Sequence, residues 1–474
     1  MKTWRMFLLS FGVALLFPNF LFAQERKDFQ SVWEKVREHS PTLLSKSLEM
    51  EAAKSASFRA GLHWLPRIYS DIRTYNTDDP TLNFAGKLGQ RSATQSDFST
   101  YSVRSNPGNY LDSNNQPYQN LNSNTSNLLA KDTLNHPGAN TYSRGTLGLE
   151  ITLYEGGYRS TLKKVKEKEW EASRSENEYI KRTIFQQTAI AYQASLVYSG
   201  SIKERKRILE ELDSFLRSYR LDSTANPVGH SGYLALKSLR LRLLSEQKEV
   251  ELLKKESLET LRILSGNSLE SFEPQESPFM RFLEDYMPIP SSKVSGNTPL
   301  SKTYKIQSEI GRERAKMEKS KFLPKAGVYT EAYAYAGDRN FASSYNAGVY
   351  LQMNLLNPTD IGSKKEADIL ADAAATRADE ISAKENSNFI MLLERERTLS
   401  ENRTNSLDSF RIQFEQLKLS QTLFKRGNIP AAQLAESFSR TADALKAMDG
   451  STLEYLRTRA ELTLYAEENH ERSE

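Results

Sequence analysis

Two hydrophobic periods take turns along the 474 residues of this chain. From Gly145, the apolar residues Leu147, Leu149, Ile151 and Leu153 alternate with Thr146, Gly148, Glu150 and Thr152. That is the period of a strand with one apolar and one wet face. Gly156-Gly157 ends the alternation, and a long charged, helix-favouring segment follows with no real loop between. The same design returns later. Leu351, Met353 and Leu355 alternate with Gln352 and Asn354, and Asn357-Pro358 then supplies a cap and a first-turn proline for a second long helix.

Taken in order, residues 29–64 have helical spacing through Val32, Val36, Leu43, Leu44 and Leu48, with a break at His39-Ser40-Pro41. The helix ends at Trp64-Leu65-Pro66-Arg67, because a residue before proline is pushed out of the helical region. A strand over about 67–75 follows, then a stretch from 76 to 142 rich in Asn, Ser, Thr, Gly and Gln, which is loop composition. The strand 145–154 returns and enters a helical hairpin over 157–264. Ile180, Ile184, Gln187, Ala191, Ala194 and Tyr198 form a coiled-coil seam on its first helix. Ser223 to Gly232 is the turn, and Leu236, Leu239, Leu243, Val250 and Leu253 line the returning helix. Residues 271–299, punctuated by Pro274, Pro278, Pro288, Pro290 and Gly296, read as a linker.

The second half repeats the first. A helix stops at Phe322-Leu323-Pro324-Lys325, strands are expected over about 325–336 and 345–356, and a second hairpin over 358–466 turns at Gly427-Asn428-Ile429-Pro430. The organisation is therefore a first repeat over 24–270, the linker, and a second repeat over 300–468. Before them, residues 1–23 read as a signal peptide, with Lys2 and Arg5, an apolar run from Met6 to Phe17, and Ala23 ahead of Gln24. The run before Pro18 is shorter than the ~20 residues that a spanning helix needs.

Four strands cannot close a barrel, and lipid does not tolerate open strand edges. If the strands cross a membrane the chain must oligomerise, and a cyclic ring is the natural closure. Met353 and the Leu series would then face lipid, while Glu150, Thr152, Gln352 and Asn354 face water. Tyr329, Tyr333, Tyr335, Tyr345 and Tyr350 are candidates for an aromatic girdle. The competing account of the strands is a soluble β-sandwich hairpin, for which the chain lacks a second sheet.

The Leu-Pro strand entries at Pro66 and Pro324, the junctions TLYEGG and NLLNPTD, and the turns PVGHSGYLALKSLR and FKRGNIPAAQLAESFSRTADALKA occur in duplicated order. In that order they resemble the TolC family of outer membrane efflux channels across nearly all of the mature chain. The resemblance implies a mainly α fold with β: a tandem repeat of long antiparallel coiled-coil helices plus two pairs of transmembrane strands, completed as a trimeric α/β barrel. Residues 76–142 would be extracellular. A homotrimer would sit in outer membrane lipid, with its helices forming a periplasmic tunnel. Its turns would meet a periplasmic adaptor, or membrane fusion, protein coupled to an inner-membrane pump, in a tripartite efflux or type I secretion system.

Carried over position by position, the tip glycine of the second hairpin falls on Gly427 and the tyrosine of the family's latch on Phe424. The two acidic positions of the pore aperture hold Gln433 and Glu436, and the arginine position holds Ile429. Val228 and Gly229 with Arg426 and Gly427 are the candidate adaptor contacts, the two glycines also serving as helix C-caps. Composition adds exclusions. Charged residues make up 26% and nearly balance at net +4, so nucleic acid is not an expected partner. Cysteine is absent, which removes disulfides and thiolate metal sites. His39, His63, His136, His230 and His470 are scattered without metal spacing, and no phosphate loop or nucleophile elbow occurs, so neither an enzyme nor a cofactor is expected. The alternative function is a periplasmic coiled-coil adaptor or scaffold without a barrel.

Overall fold

A computed structural model describes residues 25–98, 114, 132–218, 227–269, 272–290 and 298–466. Residues 1–24, on which the expected signal peptide falls, 99–113, 115–131, 219–226, which include part of the expected turn, 270–271 and 291–297, which include part of the expected linker, and 467–474 lie outside these. The chain forms two compact units. One comprises 1–50, 174–302 and 380–474, and the other 51–173 and 303–379.

The first unit is helical. It contains α1 (Phe29–His39), part of α2 (Pro41–Gly61) and part of α4 (Tyr158–Ser218). With them are α5 (Pro227–Leu264), α6 (Phe279–Tyr286), most of α8 (Ser363–Lys425) and α9 (Ala431–Leu462). Asp28 caps α1, its carboxylate accepting from the Ser31 N–H at 3.1 Å. Among the described residues, two larger cores and a smaller cluster of Phe389, Leu462 and Tyr465 hold the unit. Phe29, Tyr192, Phe282, Leu283, Met287 and Tyr455 anchor one, with Phe29 edge-on to Tyr286 at 4.6 Å and Phe282 at 5.1 Å. Ile208, Leu212, Leu236, Leu243, Leu417, Leu434 and Phe438 fill the other, where both hairpins interdigitate.

Residues 271–299 are not a bare linker. β4 (Phe272–Pro274) pairs in parallel with β1 (Glu25–Lys27), and α6 packs Phe282 and Leu283 into the aromatic core. Arg459 of α9, itself buried, donates to the carbonyl of Met287 at 2.6 Å and to Glu396 at 3.3 Å. It thereby satisfies the C-terminal end of α6 and a half-buried carboxylate together.

The second unit holds most of α7 (Pro299–Ser320) and is built on one antiparallel sheet in the order β2-β3-β5-β6. Its strands are β2 (Arg67–Thr77), β3 (Asn140–Glu155), β5 (Lys325–Gly337) and β6 (Phe341–Gln352). The two repeats meet along β3 and β5, with Leu147 opposite Ala332. β6 ends at Gln352 rather than at 356, because its partner Lys325 follows Pro324, which has no N–H to continue the ladder. Met353 and Leu355 therefore leave the strand pattern. Asn357 caps a single 3-10 turn, Pro358–Asp360, and α8 starts only after Gly362, whose φ is +85°. The stretch 76–142 is also more than loop. It holds α3 (Pro80–Gly89) and a 3-10 turn, Gln95–Phe98.

At the first strand-to-helix junction, Gly156 and Gly157 both have positive φ, +61° and +79°. A Cβ on Gly156 would lie 2.7 Å from the carbonyl oxygen of Ser320 and from Leu323 Cβ. Two left-handed residues in succession turn β3 into α4 with no further chain. Gly156→Ala is expected to cost about 1–3 kcal/mol through backbone strain and this contact. The measurement is the thermal midpoint of the purified protein, and an unchanged midpoint would contradict the assigned tightness.

Candidate functional site

The register assigns each strand residue to a face. Ile68 and Ile72 of β2, Leu147, Leu149 and Ile151 of β3, Val328, Ala332 and Ala334 of β5, and Phe341, Tyr345, Val349 and Leu351 of β6 share one side. This face is mainly apolar, with Ser70, Thr74, Thr330 and Ser343 among its members, and much of it is exposed: Ile72 is 78% and Val349 81% exposed. Exposure of this kind along a whole sheet marks a surface made to be covered by something apolar.

The opposite face carries the polar chemistry. Tyr69 donates to Glu331 at 2.5 Å, and Tyr333 donates to the other oxygen of the same carboxylate. Tyr350 donates to Glu150 at 3.0 Å, and the Arg144 guanidinium stands 4.6 Å from the Tyr333 ring centre. Three of the tyrosines lie opposite glycines in the ladder: Tyr69 on Gly148, Tyr350 on Gly327 and Tyr329 on Gly348. An added Cβ on Gly148 would sit 2.2 Å from the Tyr69 ring, so the ring lies flat on bare backbone. Here the structure corrects the aromatic girdle. Tyr329, Tyr333, Tyr335 and Tyr350 stand on the polar face with the glutamates, and of the five only Tyr345 is on the apolar side.

In the helical unit the two hairpin ends come together. An added Cβ on Gly232 of α5 would be 2.5 Å from Ala431 Cβ, at the first residue of α9. α8 ends in a Schellman motif. The Gly427 N–H donates to the Phe424 carbonyl, the Asn428 N–H donates to the Leu423 carbonyl, and Gly427 has φ +77°. Gly427 is thus a helix C-cap with open space beside it. Gly229 is not, because α5 already begins at Pro227 and places Val228 and Gly229 in its first turn.

Of the candidate aperture residues, Gln433 and Glu436 are exposed, three positions apart on α9. Phe424 turns into the core instead, 6.0 Å from the Phe215 ring. Arg426 is exposed at the turn and Ile429 half-buried. Glu436 accepts from Arg440 at 2.6 Å, a cation one turn along the helix.

No protein-family model matches the chain, and no curated protein matches it by sequence. Solved structures do. The open state of the Neisseria gonorrhoeae MtrE outer membrane channel superposes with TM-score 0.66 at 11% identity, covering 92% of this chain and 88% of that one. The Campylobacter jejuni CmeC outer membrane channel gives 0.63 at 12%, over 98% and 94%. CusC, a protein studied for transmembrane channel formation, gives 0.69 at 11%, over 95% and 94%. The fold is TolC-like.

Within this TolC-like fold, the side-chain parity of the strands holds information that an aromatic girdle ignores. Residues 329, 331, 333 and 335 share one parity, so three tyrosines and Glu331 must share a face. Arg440 is legible as an i,i+4 partner of Glu436. The Gly232 contact carries no signal beyond an isolated glycine. Among the described residues no helix is long and apolar enough to cross a membrane and no acid–histidine group could hold a metal. Gly232→Ala is expected to cost about 1–3 kcal/mol by overpacking against Ala431. Gly200→Ala, in open helical space on α4, should stabilise by about 0.5–1 kcal/mol. Equal thermal midpoints for the two variants would remove the close approach.

Proposed function

We propose that three copies of this chain form an outer membrane channel that passively conducts substrates outward, as the exit duct of a tripartite efflux or type I secretion assembly. The observation that carries this is the four-stranded sheet with one bare apolar face, one charged and hydroxylated face, and outer edges on β2 and β6 that have no strand partner among the described residues. In lipid such edges must be paired. The strands alternate in direction, so β6 of one copy meets β2 of the next antiparallel, and three copies close a twelve-stranded barrel with even strand number. The apolar face then contacts lipid, and Glu150, Glu331 and their tyrosines line the water-filled lumen.

The two hairpin ends are the proposed docking points for a periplasmic adaptor, through Val228, Gly229, Arg426 and Gly427. An inner-membrane pump behind that adaptor supplies the energy. A signal peptide over 1–23 delivers the chain. Gln433 and Glu436 line the aperture, and Phe424 braces it from behind by packing on Phe215. Rings of like charge in a constriction focus the field on passing ions. Three Arg440 one turn away oppose three Glu436, because an exposed pair of this kind is held only weakly.

Single-channel recording of detergent-purified trimers in planar bilayers tests the reading. Discrete, salt-dependent steps are expected. Glu436→Gln should lower cation preference and Arg440→Gln should raise it, whereas unchanged selectivity in both would remove α9 from the aperture. At the turns, Gly427→Glu should abolish export in cells while SDS-resistant trimers persist. Gly427→Asn, which tolerates the left-handed conformation, should retain export. Normal export by Gly427→Glu would exclude that turn as a docking point.

A further inference from the structure

The connection between β2 and β3 folds back onto the sheet. Asp79 caps α3 by accepting from the Leu82 N–H at 2.9 Å. The helix then lies on the polar face at the end of the strands remote from the helix junctions. Cβ atoms added to Gly86 and Gly89 would meet the rings of Tyr142 and Tyr335 at 2.5 and 2.6 Å. Both tyrosines share a side with Glu331 and Tyr69. Asn83, fully buried, accepts from the Tyr142 hydroxyl at 2.7 Å and donates to the Thr77 carbonyl at 2.8 Å.

A second set of bonds ties this segment to the turn between β5 and β6. Asp97 is 5% exposed and accepts from Arg339 at 2.7 and 2.9 Å, from Lys87 at 3.0 Å and from the Thr94 N–H at 2.8 Å. Asn340 donates to the Gln90 carbonyl at 3.0 Å, and Arg91 to that of Ser343 at 3.1 Å. A buried carboxylate gripped by a two-pronged guanidinium and a buried ammonium is a rigid joint. Taking away its charge leaves Lys87 buried beside a neutral partner.

We propose that residues 79–98 form an inward-folded cap that narrows the outer mouth of the lumen, held there by Asp97. The inference rests on the channel reading, since only in a closed barrel is the polar face a lumen. Three caps would then set the size of what leaves, as a constriction separate from the hairpin ends. The Arg339 guanidinium holds the Asp97 carboxyl well below the usual carboxylate range, against the opposing effect of burial. A depressed acid contributes its full stabilisation above the unfolded value near 3.9 and loses it only as pH falls toward the folded one. The cap therefore stays docked at pH 5.

The chain has no cysteine, so single ones report cleanly. Ser343 and Ser344 are neighbours on β6, opposite Ala334 and Tyr333, and so belong to the apolar and polar faces respectively. In intact cells, Ser344→Cys should react with a small charged thiol reagent but not with a bulky polyethylene-glycol maleimide, and Ser343→Cys with neither. Adding Asp97→Asn, or Gly86→Leu to lift α3 off Tyr142, should raise bulky labelling of Ser344→Cys tenfold or more, with trimers intact. Should Gly86→Leu fail to assemble, the near-isosteric Asp97→Asn decides. Bulky labelling that is already fast with the cap intact, or unchanged by Asp97→Asn, overturns the cap alone. Equal reactivity of Ser343→Cys and Ser344→Cys overturns the channel reading and the cap with it.

Discussion

Each of the two outermost strands, β2 and β6, presents a row of backbone N–H and C=O groups that the sheet itself does not pair. In water such edges invite aggregation, and in hydrocarbon each unmet group costs several kcal/mol. Joined to an apolar face as exposed as that of Ile72 and Val349, the edges leave few physical solutions. The proposed channel is one in which the sheet is completed by copies of itself and immersed in something apolar. In that proposal assembly, lipid contact and a water-filled interior all descend from the one need for backbone satisfaction.

The polar face shows how a strand wall can be both wet and ordered. Tyrosine rings lie on glycine backbone, and their hydroxyls reach carboxylates two or more strands away, as Tyr69 does to Glu331 and Tyr350 to Glu150. Rings that lie flat stand little above the sheet, and hydroxyls that donate to Glu331 hold its charge in place. The helical unit uses another device. Small residues at crossings, Gly232 on Ala431 above all, let helices approach, and Arg459 satisfies chain ends that packing alone would strand.

Much of this fold is written in the residue pattern itself. Period-two alternation around Leu147 and the Leu-Pro entries at Pro66 and Pro324 locate the sheet, and the paired long helices locate the hairpins. What escapes the pattern are short elements whose order comes from tertiary contact. α3 is ten residues in an Asn- and Gly-rich stretch, too short to be stable alone. Asp79-Pro80 nonetheless carries a readable cap and first-turn proline. α6 is hidden by flanking prolines, although Phe279, Phe282 and Leu283 have helical spacing. At the candidate aperture, helical spacing places Gln433 and Glu436 on one exposed face. It gives no sign that Phe424 turns inward to pack against Phe215.

Closure between copies is the central claim, and oxidative cross-linking reaches it most directly. Cysteines would be placed singly along β2 from 68 to 74 and along β6 from 343 to 349, combined pairwise in the otherwise cysteine-free chain, and oxidised in native membranes. One register of pairs should give a ladder on denaturing gels that stops at the trimer, since a closed ring offers no further edge. Monomer alone in every register, or a ladder running on past the trimer, would contradict the account.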